Sequence, residues 1–292
     1  MNRPVFLSDY LKAKFGEKVH KVSFKLGLTC PNRDGRISYG GCIYCNGAEL
    51  IPFSYREGMT PKEQIEKGIE VVRRKYKVNK FIAYLQDNTG TYGFEDYIMN
   101  SISDVLGMEG IVGISIGTRA DCISDSFYKF FSEISKKTFL MVELGVQSIN
   151  PRTLEIINRG HGVKIVEDAF KRLNQSEIHT VAHVIIGLMN DKEDDVKGLA
   201  EWISKNEIKG IKVHNIVVLR DTSLEKMYLN GGFVPPEKER LIELYKIFFN
   251  NIKSKVVIHR LTTDADKRFI VAPEYAQDKN SLLKDIKLAI GF

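Results

Sequence analysis

A chain of 292 residues with 43% hydrophobic and 27% charged side chains has the balance of a globular protein with a sizeable core, which excludes intrinsic disorder and collagen-like repetition. Lys and Arg total 43 against 37 for Asp and Glu, a net charge of +6 that mildly favours polyanionic partners. No apolar run reaches the roughly 18–20 residues of a membrane span, and the opening Met1-Asn2-Arg3-Pro4-Val5 lacks the apolar core of a secretory signal, so no membrane partner and a cytoplasmic location are expected.

In chain order, the first strand-like run covers about 21–27 and leads into a Gly-rich, Cys-rich loop. A helical pattern at 61–77 opens with Thr60-Pro61, and a strand follows at 80–87. Next come a helix at 94–105, a strand at 111–118, a helix at 124–136 opening with Ser124-Asp125, and a strand at 139–147. Helix 163–175, strand 180–188, helix 191–205 opening with Asp191 and strand 211–219 continue the alternation. Such alternation predicts parallel βαβ units. A full eight-stranded barrel takes about 250 residues, and the seventh apolar run, 256–261, arrives only after a long helix at about 236–253. The expected fold is α/β, a partial (β/α)6 TIM-like barrel with short terminal extensions. It forms one domain over 1–292, with its core at about 20–222, an extension at about 223–292, and a short closing helix after Glu274.

Four cysteines are too few for a disulfide scaffold, and Cys30, Cys42 and Cys45 cluster on the loop after the first strand, leaving Cys122 far away. That loop lies at a strand's carboxyl end, where barrel proteins build active sites. Cys42-x-x-Cys45 places two thiolates on one metal or cluster, and the 11 residues back to Cys30 let the third close over it. Three thiolates are one short of a closed zinc or iron–sulfur site. A [4Fe–4S] cluster with one open iron, a zinc with an open position, a structural zinc completed by His20, and unliganded cysteines all fit this spacing. Cys122 reads as a small hydrophobe and carries no cluster role.

Thr29-Cys30-Pro31-Asn32-Arg33-Asp34-Gly35, with Gly40-Gly41-Cys42-x-x-Cys45-Asn46, closely resembles the radical S-adenosylmethionine enzymes, in particular the compact branch related to the catalytic subunit of Elongator. The long first spacing is that branch's. Gly117-Thr118-Arg119-Ala120-Asp121-Cys122, Glu143-Leu144-Gly145-Val146-Gln147-Ser148 and His183-Val184-Ile185-Ile186-Gly187-Leu188 match in order, over about 20–275. The resemblance implies that Cys30, Cys42 and Cys45 hold a [4Fe–4S] cluster whose open iron chelates S-adenosylmethionine, cleaved by one electron to a 5′-deoxyadenosyl radical. It implies cofactor contacts from Tyr44, near the adenine, and Gln86, near the methionine end. Thr118, Arg119, Glu143, Gln147 and Ser148 at the strand ends, with His183 as a further candidate, complete that set. His214 is a second strand histidine, and Arg260 matches a late segment near the substrate opening. After the fifth strand the family's Gly-Leu-Pro-Gly-Glu is absent, Gly187-Leu188 being followed by Met189-Asn190-Asp191. Gln86 to Tyr92 only approximates the family's Asn-Thr-Tyr pattern.

The resemblance further implies tRNA as substrate, with trimming of the wobble uridine's 5-carboxymethylaminomethyl group to 5-aminomethyl, and a flavodoxin- or ferredoxin-type electron donor. Acetyl transfer is not expected, because the residues after the barrel leave no room for the acetyltransferase domain that the resemblance would otherwise imply. Arg73-Arg74-Lys75, Lys136-Lys137, Lys171-Arg172 and the stretch Lys12, Lys14, Lys18, Lys21, Lys25 are candidate phosphate contacts, the last favoured because it leads into the cysteine loop. The rival readings are a radical enzyme acting on a small molecule and a non-enzymatic zinc module. Neither the catalytic residues nor the oligomeric state is legible.

Overall fold

A computed structural model describes residues 5–46, 55–189, 191–253 and 255–292. Residues 1–4, which entered the reading of the N-terminus, and Asn190 of the departing turn lie outside the described residues. The first half of the chain runs Val5–Phe6 (β1), Leu7–Phe15 (α1), Val19–Phe24 (β2), Pro61–Tyr76 (α2), Lys80–Leu85 (β3), Glu95–Leu106 (α3), Ile111–Thr118 (β4), Asp125–Ser135 (α4) and Phe139–Gln147 (β5). The second runs Pro151–Ile156 (α5), Val163–Leu173 (α6), His179–Ile186 (β6), Glu193–Lys205 (α7), Gly210–Asn215 (β7), Val218–Leu219 (β8), Ser223–Leu229 (α8), Lys238–Asn251 (α9), Val257–Arg260 (β9), Ile270–Ala272 (β10) and Lys279–Ala289 (α10).

Several helices start where a side chain satisfies a free N–H group. Thr60 Oγ1 accepts from Glu63 N at 3.3 Å while Glu63 Oε2 accepts from Thr60 N at 2.7 Å, with Pro61 fixing the first turn of α2. Ser124 Oγ caps α4 by accepting from Phe127 N at 3.3 Å. Asp191 does not open α7 as expected. Its Oδ2 accepts from Gly187 N and Leu188 N at 3.2 and 2.9 Å, so it closes the turn after β6.

The strands form one curled parallel sheet in the order β1-β9-β7-β6-β5-β4-β3-β2. The six predicted strands are β2 to β7, adjacent and in sequence. The partial TIM-like barrel is therefore present, but six strands is an undercount, because Val257 and Ile258 of β9 pair with Gly210 and Ile211, and β1 then pairs with β9. The predicted run 211–219 is two strands: its end leaves the sheet, and β8 pairs antiparallel with β10. Helix faces cover the outside of the sheet, among them Ile65 and Val72 of α2, Phe127 and Phe131 of α4, and Leu241, Tyr245 and Phe248 of α9. Helix α1, absent from the sequence-based reading, packs Leu11 against Ile82 and Met141, with Tyr10 5.1 Å from the His179 ring. It covers the strands' amino ends, opposite the cysteine loop. Among the described residues no helix is long and apolar enough to cross a membrane.

Candidate active site

Strand β2 delivers the chain into the cysteine loop. Gly40 and Gly41 turn it at φ of 82° and 86°, left-handed angles that a side chain resists. Asn32 then ties the loop to the end of α5: its Nδ2 donates to Asn158 O at 2.5 Å and reaches Cys42 Sγ at 3.6 Å, while Asn158 Nδ2 donates to Gly41 O at 2.9 Å. Ile43 N donates to Ile157 O, and Leu224 N at the start of α8 donates to Ile43 O. The loop is thus held from two sides.

All four cysteines are free thiols. Burial pushes the Cys45 thiol up, Cys42 and Cys30 push it further, and Arg33 opposes them, which places the three loop thiols within one another's field. Cationic and amide donors surround them. Arg33 reaches Cys45 Sγ at 3.4 Å and Arg159 reaches Cys42 Sγ at 4.0 Å. Two buried nitrogens here, one on Arg119 and Nε of Arg159, have no partner. A Cβ on Gly145 would lie 2.7 Å from Gln147 Nε2 and 2.9 Å from the Arg159 guanidinium, so both side chains would have to shift to admit one. Three thiols ringed by N–H donors, some of them unsatisfied, suit an anionic sulfur-ligated group. No three His, Cys, Asp or Glu side chains among the described residues converge tightly enough for a single metal ion. His20, offered as a fourth zinc ligand, instead stacks on Tyr76 with ring centroids 4.3 Å apart.

Below the loop a cavity of about 280 Å³ opens among the strand ends, lined by Tyr44, Cys45, Gln86, Gln147 and His183, with Lys212, His214 and Arg260 from β7 and β9. Gln147 reaches it from a left-handed backbone, φ 67°, beside an irregularity in the β5–β6 register, a strained geometry costing roughly 1–3 kcal/mol. Under the cavity lies Glu143, whose side chain is fully buried. Lys21 Nζ and Ser115 Oγ donate to its Oε1 at 2.7 and 2.6 Å, and His183 Nε2 donates to Oε2 at 2.8 Å, joined there by Lys212. Burial alone would raise this carboxyl, but Lys21, Lys212 and His183 hold it well below the usual carboxylate range. Burial, and then Lys212, bring His183 down to about 4 against the pull of Glu143, so its ring is neutral at pH 7.

Thr118, Arg119 and Ser148 do not line this cavity. Thr118 Oγ1 pairs with Thr91 Oγ1 at 2.6 Å, Arg119 holds Asp121 at 2.7 and 2.9 Å, and Ser148 Oγ accepts from Asn150 N at 3.1 Å. Cys122 lines a separate cavity of about 550 Å³ with Thr29, Arg36 and Tyr92. Burial raises its thiol to about 12.

Residues 29–203 match the model of the radical SAM superfamily and 208–290 that of the Radical_SAM C-terminal domain. The chain is 30% identical over 280 residues to the protein YtqA of Bacillus subtilis, covering 95% of this chain and 86% of that one. This chain belongs to the radical S-adenosylmethionine superfamily. Its cofactors are those of the superfamily, a [4Fe–4S] cluster and S-adenosylmethionine. MJ0486 of Methanocaldococcus jannaschii is 33% identical across 91% of the chain and 82% of its own length. Elongator complex protein 3 of Saccharomyces cerevisiae is 23% identical, and the match spans 89% of this chain but only 54% of that protein. The solved archaeal Elp3 of Methanocaldococcus infernus superposes with a TM-score of 0.69 at 19% identity over 92% of this chain and 63% of its own. The radical SAM fold is thus shared with Elp3. Of the residues around this site, the sequence marks Lys21 as a phosphate contact and does not assign to the site Ser115, Arg159, Lys212 or Tyr84, the last lining the cavity.

Proposed function

We propose that this radical SAM enzyme modifies the wobble uridine of tRNA, trimming a 5-carboxymethylaminomethyl group to 5-aminomethyl. The observation that carries the reading is the shared cavity: Cys45 and Tyr44 of the thiol loop open onto the same space as Gln86, Gln147, His183 and Lys212. Relationship to Elongator complex protein 3 along most of the chain supports tRNA as the substrate class.

Cys30, Cys42 and Cys45 would hold the cluster, which, reduced by a flavodoxin- or ferredoxin-type donor, would with S-adenosylmethionine supply the radical chemistry that takes two electrons from the methylene between the amine and the carboxylate, so that water cleaves that C–N bond, leaving the 5-aminomethyl amine and releasing the two carboxymethyl carbons as glyoxylate. Tyr44 would pack on the cofactor, and Gln86 and Gln147, which line the same cavity, would offer amide donors and acceptors to its polar groups. His183, neutral and donating from Nε2, keeps Glu143 charged and still. Thr118, Arg119 and Ser148 act as positioning residues. Arg119 ties the loop after β4 to Arg159 O at 3.0 Å, beside the thiols. The apolar walls, Ile185 and Ile216 among them, keep water away from a reactive centre.

Anaerobic protein reconstituted with iron and sulfide is expected to form 5′-deoxyadenosine and to convert the modified wobble uridine, read by nucleoside mass spectrometry. Cys42→Ala is expected to lose at least about a hundredfold in deoxyadenosine formation with little change in melting temperature, because the thiol sits on a loop outside the main core. Wild-type rates from that variant would remove Cys42 from the ligand set, and deoxyadenosine without any change in the tRNA would sink the wobble reading.

A further inference from the structure

The charges around the cavity do not balance. Lys21, Lys212 and Arg260 are three cations, and the carboxylates facing them are Glu143 and Asp264. Asp264 is itself shared, since Lys279 binds its Oδ1 while Arg260 holds Oδ2 at 3.2 Å. At least one buried positive charge therefore lacks a counter-charge. Lys212 is 7% exposed and lies over the Tyr84 ring with its Nζ 4.6 Å from the centroid. His214, two residues along β7 and so on the same side of the strand, has its Nε2 buried without a partner. In register, Lys212 lies opposite Arg260 of β9. Both cations and His214 line the cavity that Cys45 and Tyr44 also line.

An uncompensated ammonium in a low-dielectric space is costly unless an anion joins it. A guanidinium forks to two oxygens, and a lysine and a neutral imidazole N–H can each add one donor, a set that suits a planar carboxylate. We propose that Lys212, His214 and Arg260 form a carboxylate pocket that grips an acidic group on the substrate and sets the atoms beside it against the cofactor. The inference rests on the wobble reading, where the 5-carboxymethylaminomethyl group carries a carboxylate and its trimmed product does not. It assigns three residues of β7 and β9 as the elements that tell an acidic wobble base from a neutral one. The methionine half of S-adenosylmethionine carries a carboxylate too, so the experiment separates the two sources.

The test uses the reconstituted holoenzyme and two anticodon stem-loops, one bearing 5-carboxymethylaminomethyluridine and one bearing its carboxamide. Conversion efficiency, kcat/KM, is measured for both with wild type, Arg260→Gln and Lys212→Met, and equilibrium binding of S-adenosylmethionine is measured in parallel. Wild type is expected to favour the carboxylate by about tenfold or more, and each variant to bring the ratio within about twofold of unity. Arg260→Gln keeps the test readable if Lys212→Met fails to fold, since Arg260 is one-third exposed with a single ion pair. Equal use of both RNAs by wild type overturns the pocket and leaves the wobble reading standing. A retained ratio in Arg260→Gln, together with about tenfold weaker S-adenosylmethionine binding, assigns the pocket to the cofactor and overturns it as well. Deoxyadenosine formation without conversion of either RNA defeats the wobble reading, and the pocket falls with it.

Discussion

Glu143 is the residue on which the inside of the barrel depends. Its two oxygens take four donors, so its desolvation is offset only while Lys21, Ser115, His183 and Lys212 remain in place. Glu143→Gln keeps the shape but leaves two buried lysines without their carboxylate, and the expected loss is about 3–5 kcal/mol in urea denaturation at pH 7. Adding Lys21→Met and Lys212→Met to Glu143→Gln is expected to recover more than half of it; no recovery would mean that water, not Glu143, carries the lysine charges. The chemistry of this layer was half legible. Cysteine spacing marks the loop thiols, and a carboxylate inside an apolar strand marks Glu143. Lys21 and Lys212 escaped because lysine ordinarily signals a solvated surface, and Lys21 was counted with a phosphate-binding patch that the structure denies it. The signal that would have found them is the two-residue strand period, which puts Lys212 and His214 on one side of β7, and Lys21 and Ser23 on one side of β2.

Among the elements, the central strands and long helices could be read because each carries several turns of period or a cap, as at Thr60-Pro61 and Ser124-Asp125. Short α1, α5 and α8 could not, although Asn150-Pro151 and Thr222, which caps through Glu225 N at 3.1 Å, are start signals of the same kind. Missing α1 distorted the functional reading most. It carries Lys12 and Lys14 at the amino ends of the strands, and the seven residue steps across β2, at about 3.3 Å each, set Lys18 and Lys25 about 23 Å apart. The basic stretch is therefore no continuous patch beside the thiol loop. Around the loop itself stand exposed Tyr39 and Phe94, with Arg36 5.8 Å from the centre of the Tyr92 ring, a combination suited to stacked bases and phosphates. Arg36→Glu is expected to weaken tRNA binding about three- to tenfold in a salt-dependent manner, while Lys12→Glu with Lys14→Glu changes it less than about twofold. Filter binding at two salt concentrations checks both, and the reverse ranking would move the RNA to the other end of the barrel.

At the scale of the whole molecule, folding puts the histidines out of reach of protons. Burial brings His161 and His183 to about 4 and His179 to about 3, and takes His214 and His259 well below their ordinary value. An unfolded chain protonates these rings near pH 6.5, so between pH 6.5 and about 4 the unfolded state binds more protons and stability falls as the pH falls. The difference is half developed at pH 6.5, and above about pH 7.5 the rings are neutral in both states and contribute no slope. Asp191 works the other way. Burial raises it to about 7, so below that pH the native state keeps a proton that the unfolded chain releases, which offsets one histidine. Several rings against one carboxyl leave a net uptake on unfolding of two or more protons near pH 5.5, a slope of about 3 kcal/mol per pH unit or steeper. Urea denaturation from pH 8.5 to 5 is expected to level off above about pH 7.5 and to decline with growing steepness below it. His179→Phe, which keeps the ring packing with Tyr10 and Phe139, is expected to reduce the slope by about one proton. A flat profile would mean that the native rings already carry protons at pH 6, and His183 would then meet Glu143 as a cation rather than as a neutral donor.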